Sequence, residues 1–319
     1  MNIPEKKDIE QAYLRIEEYI HLTDCKTSTF LNNLSDSELY FKCENFQKIG
    51  AFKIRGAMNT ILQIPAESAK NGVVTHSSGN HAQAVSLAAA LLNIPAYIVM
   101  PENAPKVKVE AVKGYGGLVK FCKATLDARE SEMEKIRADK NALFIPPYDH
   151  PQIIAGQATA AMELLRQADK SLDYLIAPVG GGGLLAGTAL AVKYFGSKET
   201  KIIGAEPLGA DDAHQSFLNK KLIPQKAPNT IADGLLTSLG TINFKIIMDE
   251  VEEILCVDDQ DIINSMKLVW ERMKMIIEPS SAVPLAAVLK NKEKFQYKRV
   301  GIIISGGNID LNRFFNVLT

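Results

Sequence analysis

No apolar run in this chain approaches the ~20 residues needed to cross a bilayer, which argues against a membrane span. No block of basic residues appears either, and 36 Lys and Arg against 37 Asp and Glu leave a net charge of -1. Such a balance supplies no long-range field for nucleic acid. Cysteine is scarce: Cys25, Cys43, Cys122 and Cys256 are far apart and form no short metal-ligand pair. The opening "MNIPEKKDIEQAYLRIEEYI" is charged and helical, unlike a signal peptide. Free thiols in a reducing compartment are therefore expected, in a soluble cytoplasmic protein without a membrane or nucleic-acid partner.

What the chain does have is alternation. Its 319 residues, 46% hydrophobic and 23% charged, suit one large or two closely joined domains. Short apolar runs read as strands: "ELYFKCE", "GVVTH", "PAYIVM", "GLVKFC", "ALFIP", "DYLIAPV", "KIIGAE", "EEILCV" and "RVGIIIS". Helical patterns lie between them, including the segment after Lys53, "AQAVSLAAALLN", "ARESEMEKIRADK", "IIAGQATAAMELLRQ", "LLAGTALAVKYF" and two helices around Trp270 and Pro284. This spacing predicts an α/β protein with two open, mainly parallel sheets covered by helices. A small domain over 73–146 is expected as an insertion in a large one formed by 1–72 and 147–319. Ligands in such folds lie beyond the carboxyl ends of strands or between domains.

Several loops at those ends carry chemistry. "APVGGGGLLAG" follows a strand and opens a helix, and Gly180, Gly181, Gly182 and Gly183 leave backbone N–H groups open to a phosphate. A flexible turn is the bland alternative. Gly181, Gly183 and Ala186, with Glu206 about 20 residues on, also satisfy a relaxed dinucleotide fingerprint. "THSSGNHAQA" places Ser77, Ser78, Asn80 and His81 at a second strand-to-helix junction, where N–H groups could take a carboxylate and hydroxyls could move a proton. Capping by Ser78 or Asn80 would explain the same residues. "IIISGGN" ends a strand in Ser305, and "EPLGADDA" groups Glu206, Asp211 and Asp212 as oxygen ligands for a divalent cation or as an acidic helix start. Lys53 in "GAFKIRGAMN" stands among apolar neighbours, either with its stem packed or as an amine buried for chemistry.

Together, "GAFKIRGA", "THSSGNH", "VGGGG" and "SGGN" in this order resemble the serine racemase and threonine/serine dehydratase family. These are fold-type II, tryptophan synthase β-like enzymes that use pyridoxal 5'-phosphate. The resemblance runs over nearly the whole chain, through "YIVMPENAPKVKVEAV", "IADGL" and "VWERMKMIIEPSSAV", with "EP..ADD" and "WERMK" pointing to the racemase branch. It implies that Lys53 binds the cofactor covalently and that Phe52 packs on its ring. It also implies that Asn80 bonds the phenolic oxygen, that Gly180 to Gly183 hold the phosphate, and that Ser305 faces the pyridine nitrogen. A neutral serine there makes the ring a weaker electron sink than a carboxylate would, so racemisation and β-elimination compete.

By the same resemblance, Lys53 and Ser78 are acid and base on opposite faces of the substrate Cα. Ser77, Ser78, Asn80 and His81 hold its carboxylate, and Arg129 and Thr237 lie near its side chain. For the last two, a solvated helix arginine and a loop threonine are the ordinary reading. Glu206, Asp212 and the Ala210 carbonyl match a site for Mg²⁺, Ca²⁺ or Mn²⁺. Gln83, Lys108, Tyr115, Lys274 and Asn308 match positions where relatives bind activating ATP, whereas Ile49 replaces the hydroxyl residue expected beside Lys48 and counts against it. A homodimer is implied. The expected reaction is interconversion of L- and D-serine with loss of water to pyruvate and ammonia. A dehydratase of serine, threonine or 3-hydroxyaspartate is the alternative, and "IPPYDHP", which resembles the dehydratase pattern as much as the racemase one, leaves the choice open.

Overall fold

The computed structural model describes residues 2–104, 106–310 and 314–315. Two sheets organise the chain. The strands are β1 (Cys25–Lys26), β2 (Glu38–Cys43), β3 (Val73–His76), β4 (Ala96–Pro101), β5 (Leu118–Cys122), β6 (Leu143–Phe144), β7 (Tyr174–Pro178), β8 (Lys201–Pro207), β9 (Glu253–Val257) and β10 (Arg299–Ile304). The six-stranded sheet runs β1-β2-β10-β7-β8-β9 and the four-stranded sheet β5-β4-β3-β6. Every pairing is parallel except β1 with β2. The first long strand of the chain, β2, pairs with the last, β10, so the larger sheet is closed by both ends of the sequence.

The central strands read as continuous apolar runs because both of their faces are covered. In β10, Ile303 packs with Ile154, Leu185 and Ala189 on one face. Its neighbours Val300, Ile302 and Ile304 pack with Met266, Val269 and Leu285 on the other. Those partners come from helices Pro151–Gln167 and Gly183–Phe195 on one side and Asp259–Met273 and Pro279–Lys290 on the other. The smaller sheet is likewise sandwiched. Val73, Ile98 and Met100 meet Ala82, Val85 and Ala89 of helix Asn80–Leu91, while Val74 and Val99 meet Met133 of helix Leu126–Lys140.

Helix Lys53–Ile61 joins the two halves. Its Ile54, Ala57, Met58 and Ile61 belong to the core of the smaller sheet. Its other face crosses helix Pro151–Gln167 at Gly56 and Gly156, where a Cβ added at Gly156 would lie 2.6 Å from the Gly56 Cα. Only glycine at these positions lets the backbones approach so closely.

The apolar runs expected to be strands are strands, with ends shifted by up to two residues. Pattern reading passes over β1 and the helices Thr29–Ser35 and Thr241–Glu250. No helix among the described residues is long and apolar enough to cross a membrane.

Candidate active site

Strand ends of both sheets open on one cavity of about 1370 Å³. From the larger sheet come the loop after β7 with Gly180 to Gly183, Ser305 just past β10, and Phe52 and Lys53 beyond β2. From the smaller sheet come Ser77 to His81 after β3 and Pro146 to Asp149 after β6. Carboxyl-end loops converge in this way because parallel strands all terminate on the same edge.

Lys53 starts its helix and is half-buried, with its Nζ donating 2.8 Å to the Pro147 carbonyl and lying 5.3 Å from the centre of the Phe52 ring. Burial pushes its pKa down to about 8, with the charge of Glu278 opposing the shift. An ammonium loses more hydration than an amine on burial, so the neutral nucleophile is populated near physiological pH. The backbone around it is stitched to the far end of the chain: the Phe52 N–H donates to the Ser305 carbonyl and the Gly307 N–H to that of Gly50. Ile49 is held at φ 60 and Gly50 at φ 70, a left-handed pair that a β-branched residue enters only under strain.

At the second junction, capping is not what Ser78 and Asn80 do. Gly79 takes the N-cap position, no side chain caps the helix, and the first-turn N–H groups remain open. The Ser77 hydroxyl accepts from the Gly79 N–H at 3.3 Å. The Asn80 Nδ2 donates to both carboxylate oxygens of Glu278, at 2.9 and 3.1 Å, and its Oδ1 accepts from Asn308 Nδ2 at 2.8 Å. Glu278 is buried, and burial together with Asp233 raises its pKa to about 7. His81, also buried, sets its Nε2 3.0 Å from the Ile145 carbonyl.

In the glycine loop, Gly182 has φ +89 and the following helix also lacks a side-chain cap. Its dipole and free N–H groups face the cavity. A Cβ at Gly181 would lie 2.4 Å from the Tyr148 ring, so a side chain there forces the ring to move. Ser305 is buried and its hydroxyl meets that of Ser281 at 2.9 Å, a neutral pair. Arg129 and Thr237 both line the cavity, Arg129 near His76 and Thr237 beside the Tyr148 hydroxyl.

Glu206 and Asp212 lie apart from that cavity. Glu206 is fully buried and accepts the N–H groups of Ala213 and His214 at 3.0 and 2.8 Å, so its carboxylate faces a helix start and no ribose. Burial, reinforced by Asp212, raises its pKa well above the usual range, and burial raises that of Asp212 to about 6. Among the described residues no three His, Cys, Asp or Glu side chains group around one point as a metal cluster. Of the positions considered for a nucleotide, Gln83 is buried, Lys108 pairs with Asp233 at 2.6 Å, and Asn308 also donates to the Ile49 carbonyl at 2.6 Å. Lys274 donates to the Glu271 carbonyl at 2.7 Å.

Motif reading passed over Glu278 and Tyr148, which lie against Asn80 and the glycine loop. The signal for Glu278 was present, an acid directly before Pro279 at a helix start, where it would ordinarily be taken for a dipole-stabilising residue.

A lysine amine of lowered pKa, an uncapped glycine cradle and a buried neutral hydroxyl fit the aldehyde, phosphate and ring nitrogen of a pyridoxal cofactor. Such a fold and site define a lysine-dependent enzyme of the open α/β class. The chain belongs to the pyridoxal-phosphate dependent enzyme family, which it matches over residues 16–306. It is 51% identical over 317 residues to a serine racemase of Dictyostelium discoideum, covering 98% of this chain and 97% of that one. It is 45% identical over 313 residues to a beta-hydroxyaspartate dehydratase of Paracoccus denitrificans, covering 98% and 99%. The solved structure of maize serine racemase superposes with a TM-score of 0.95 at 43% identity, covering 99% of this chain and 97% of that one.

Proposed function

We propose that this enzyme interconverts L- and D-serine and also eliminates water from serine to give pyruvate and ammonia. The observation that carries the reading is a single cavity walled by the Lys53 amine and by the uncapped Ser77–Ser78–Gly79 turn, with a neutral hydroxyl at Ser305. When bound, pyridoxal phosphate draws electrons from the substrate Cα and makes its proton removable. Phe52, Asn80, Gly180 to Gly183 and Ser305 hold it, and Lys53 carries it. The open N–H groups at Asn80 and His81, with Ser77, orient the substrate carboxylate. Lys53, with a pKa of about 8, accepts or returns the Cα proton on one face. Ser78 does so on the other.

The 73–146 segment is the small domain that positions Ser78, and 1–72 with 147–319 form the large one that holds the cofactor. Residue 105 of the small domain and residues 1, 311–313 and 316–319 of the large one lie outside the described residues. Glu206, Asp212 and the Ala210 carbonyl bind Mg²⁺ or a similar cation, since two adjacent buried carboxylates with raised pKa values are relieved by a positive charge. The enzyme works as a cytoplasmic homodimer. ATP as activator is disfavoured by Ile49 and by the engagement of Lys108 with Asp233.

A second reading, a 3-hydroxyaspartate dehydratase, draws on Arg129 in the cavity wall, which suits a second carboxylate. Purified enzyme given L-serine, pyridoxal phosphate and Mg²⁺ separates the two. D-serine with pyruvate is the expected result; pyruvate alone, with faster turnover of hydroxyaspartate, would leave the cofactor site standing and replace the racemase.

A further inference from the structure

Ser305, which lines the cavity, rests on Ser281, a fully buried residue in the first turn of helix Pro279–Lys290. Backbone hydrogen bonds hold both residues in place. The Ser305 carbonyl accepts from the Phe52 N–H at 3.0 Å, and the Ser281 N–H donates to the Glu278 carbonyl at 2.9 Å. A serine hydroxyl has one hydrogen to give and two lone pairs with which to accept. Three groups surround the Ser281 Oγ: the Gly306 N–H at 2.7 Å, the Gly306 carbonyl oxygen at 2.6 Å and the Ser305 Oγ at 2.9 Å.

Counting hydrogens assigns each contact a direction. The Gly306 N–H only donates, so it occupies one lone pair of Ser281. The Gly306 carbonyl only accepts, and two oxygens 2.6 Å apart repel unless a hydrogen lies between them, so the single hydrogen of Ser281 goes there. Ser281 keeps one lone pair, and Ser305 is the neighbour left to fill it. The hydrogen of that contact therefore comes from Ser305. With its hydrogen turned to Ser281, Ser305 offers only lone pairs to a group beside it in the cavity. A bare ring nitrogen would meet it lone pair to lone pair, whereas a nitrogen carrying a hydrogen donates to it. We propose that Ser281 is a positioning residue that fixes Ser305 as an acceptor, so that the enzyme binds pyridoxal phosphate with its ring nitrogen protonated. A protonated ring draws electrons from the substrate Cα more strongly than a neutral one, which offsets the weaker pull expected of a serine at this position. This rests on the cofactor and on the place of Ser305 beside its ring nitrogen, and it holds for a racemase and a dehydratase alike.

The test loads the apoprotein with pyridoxal phosphate labelled with nitrogen-15 in the ring and reads that nitrogen by solid-state NMR near neutral pH. Wild-type holoenzyme is expected to show the upfield resonance of a protonated ring nitrogen. Ser281→Ala removes the acceptor and frees the Ser305 hydrogen for the ring, so the resonance should move downfield to that of an unprotonated nitrogen. Ser281→Thr keeps the hydroxyl and should keep the wild-type shift. An unprotonated nitrogen in the wild type would overturn the proposal, whether or not either variant folds. A nitrogen still protonated in loaded Ser281→Ala, or unprotonated in loaded Ser281→Thr, would overturn the role of Ser281. Wild-type protein that took up none of the labelled cofactor would overturn the cofactor site itself, and would be recognised as colourless before any spectrum was taken.

Discussion

Lys53 concentrates the residue-scale chemistry. Its folded pKa of about 8 lies below the ordinary 10.5, so raising pH through 8 frees the amine while the chain stays folded. The unfolded chain binds the extra proton between those values, so the cost of burying Lys53 is complete below 8 and fades above it. Cofactor uptake by the apoprotein, followed by absorbance, should therefore rise about tenfold per pH unit below 8 and level off above it. An uptake rate flat from pH 6 to 9 would contradict that placement. Lys53→Ala should yield colourless protein with no activity. Gly181→Ala is expected to fold yet lose cofactor affinity, because the added Cβ would displace the Tyr148 ring across the phosphate cradle; equilibrium dialysis against pyridoxal phosphate checks it.

At the scale of elements, a buried charge network fixes helix Lys53–Ile61. Arg55, fully buried two residues after Lys53, donates to both oxygens of Glu44 at 2.7 and 2.8 Å and both of Glu163 at 2.7 Å. Lys42 completes it by reaching Glu163 at 2.6 Å. Burial raises the Glu44 pKa, but the charge and hydrogen bonds of Arg55 outweigh that and hold its carboxyl below the usual range. The network ties the end of β2 and helix Pro151–Gln167 to the helix that carries Lys53. Arg55→Met should cost about 3 to 5 kcal/mol in chemical denaturation, because it leaves carboxylates buried without their partner. Replacement of Arg55, Glu44, Glu163 and Lys42 together by apolar residues should recover most of that loss. A single substitution costing under about 1 kcal/mol would show the network to be dispensable.

Across the whole molecule, what could be read in advance followed from periodicity and local chemistry. Strands such as "RVGIIIS" were legible because burial on both faces makes a run of apolar residues unbroken. The four-glycine loop was legible because phosphate binding needs bare backbone at a helix start. Glu278 and Ser281 were not, since their roles depend on Asn80 and Ser305, brought close by the fold at separations no pattern records. The helix Asp212–Asn219 was half-legible: its acidic start was visible, but not that Glu206 reaches across to its first N–H groups. The cation proposed for Glu206 and Asp212 would also act at this scale. Chelation should lower the melting temperature, Mg²⁺ should restore it in the wild type and not in Asp212→Asn, and affinity should strengthen as pH rises through about 6, where Asp212 loses its proton. Binding independent of pH from 5 to 8 would remove Asp212 from the site.

Hydrogen exchange at Cα probes the proposed opposition of Lys53 and Ser78 most directly. Wild-type holoenzyme in deuterium oxide should exchange the Cα proton of L-serine and of D-serine, read by proton NMR. In Ser78→Ala, with Lys53 intact, exchange should persist in one enantiomer and vanish in the other, while racemisation stops. Exchange of both enantiomers at wild-type rates in that variant would contradict the assignment of two groups on opposite faces.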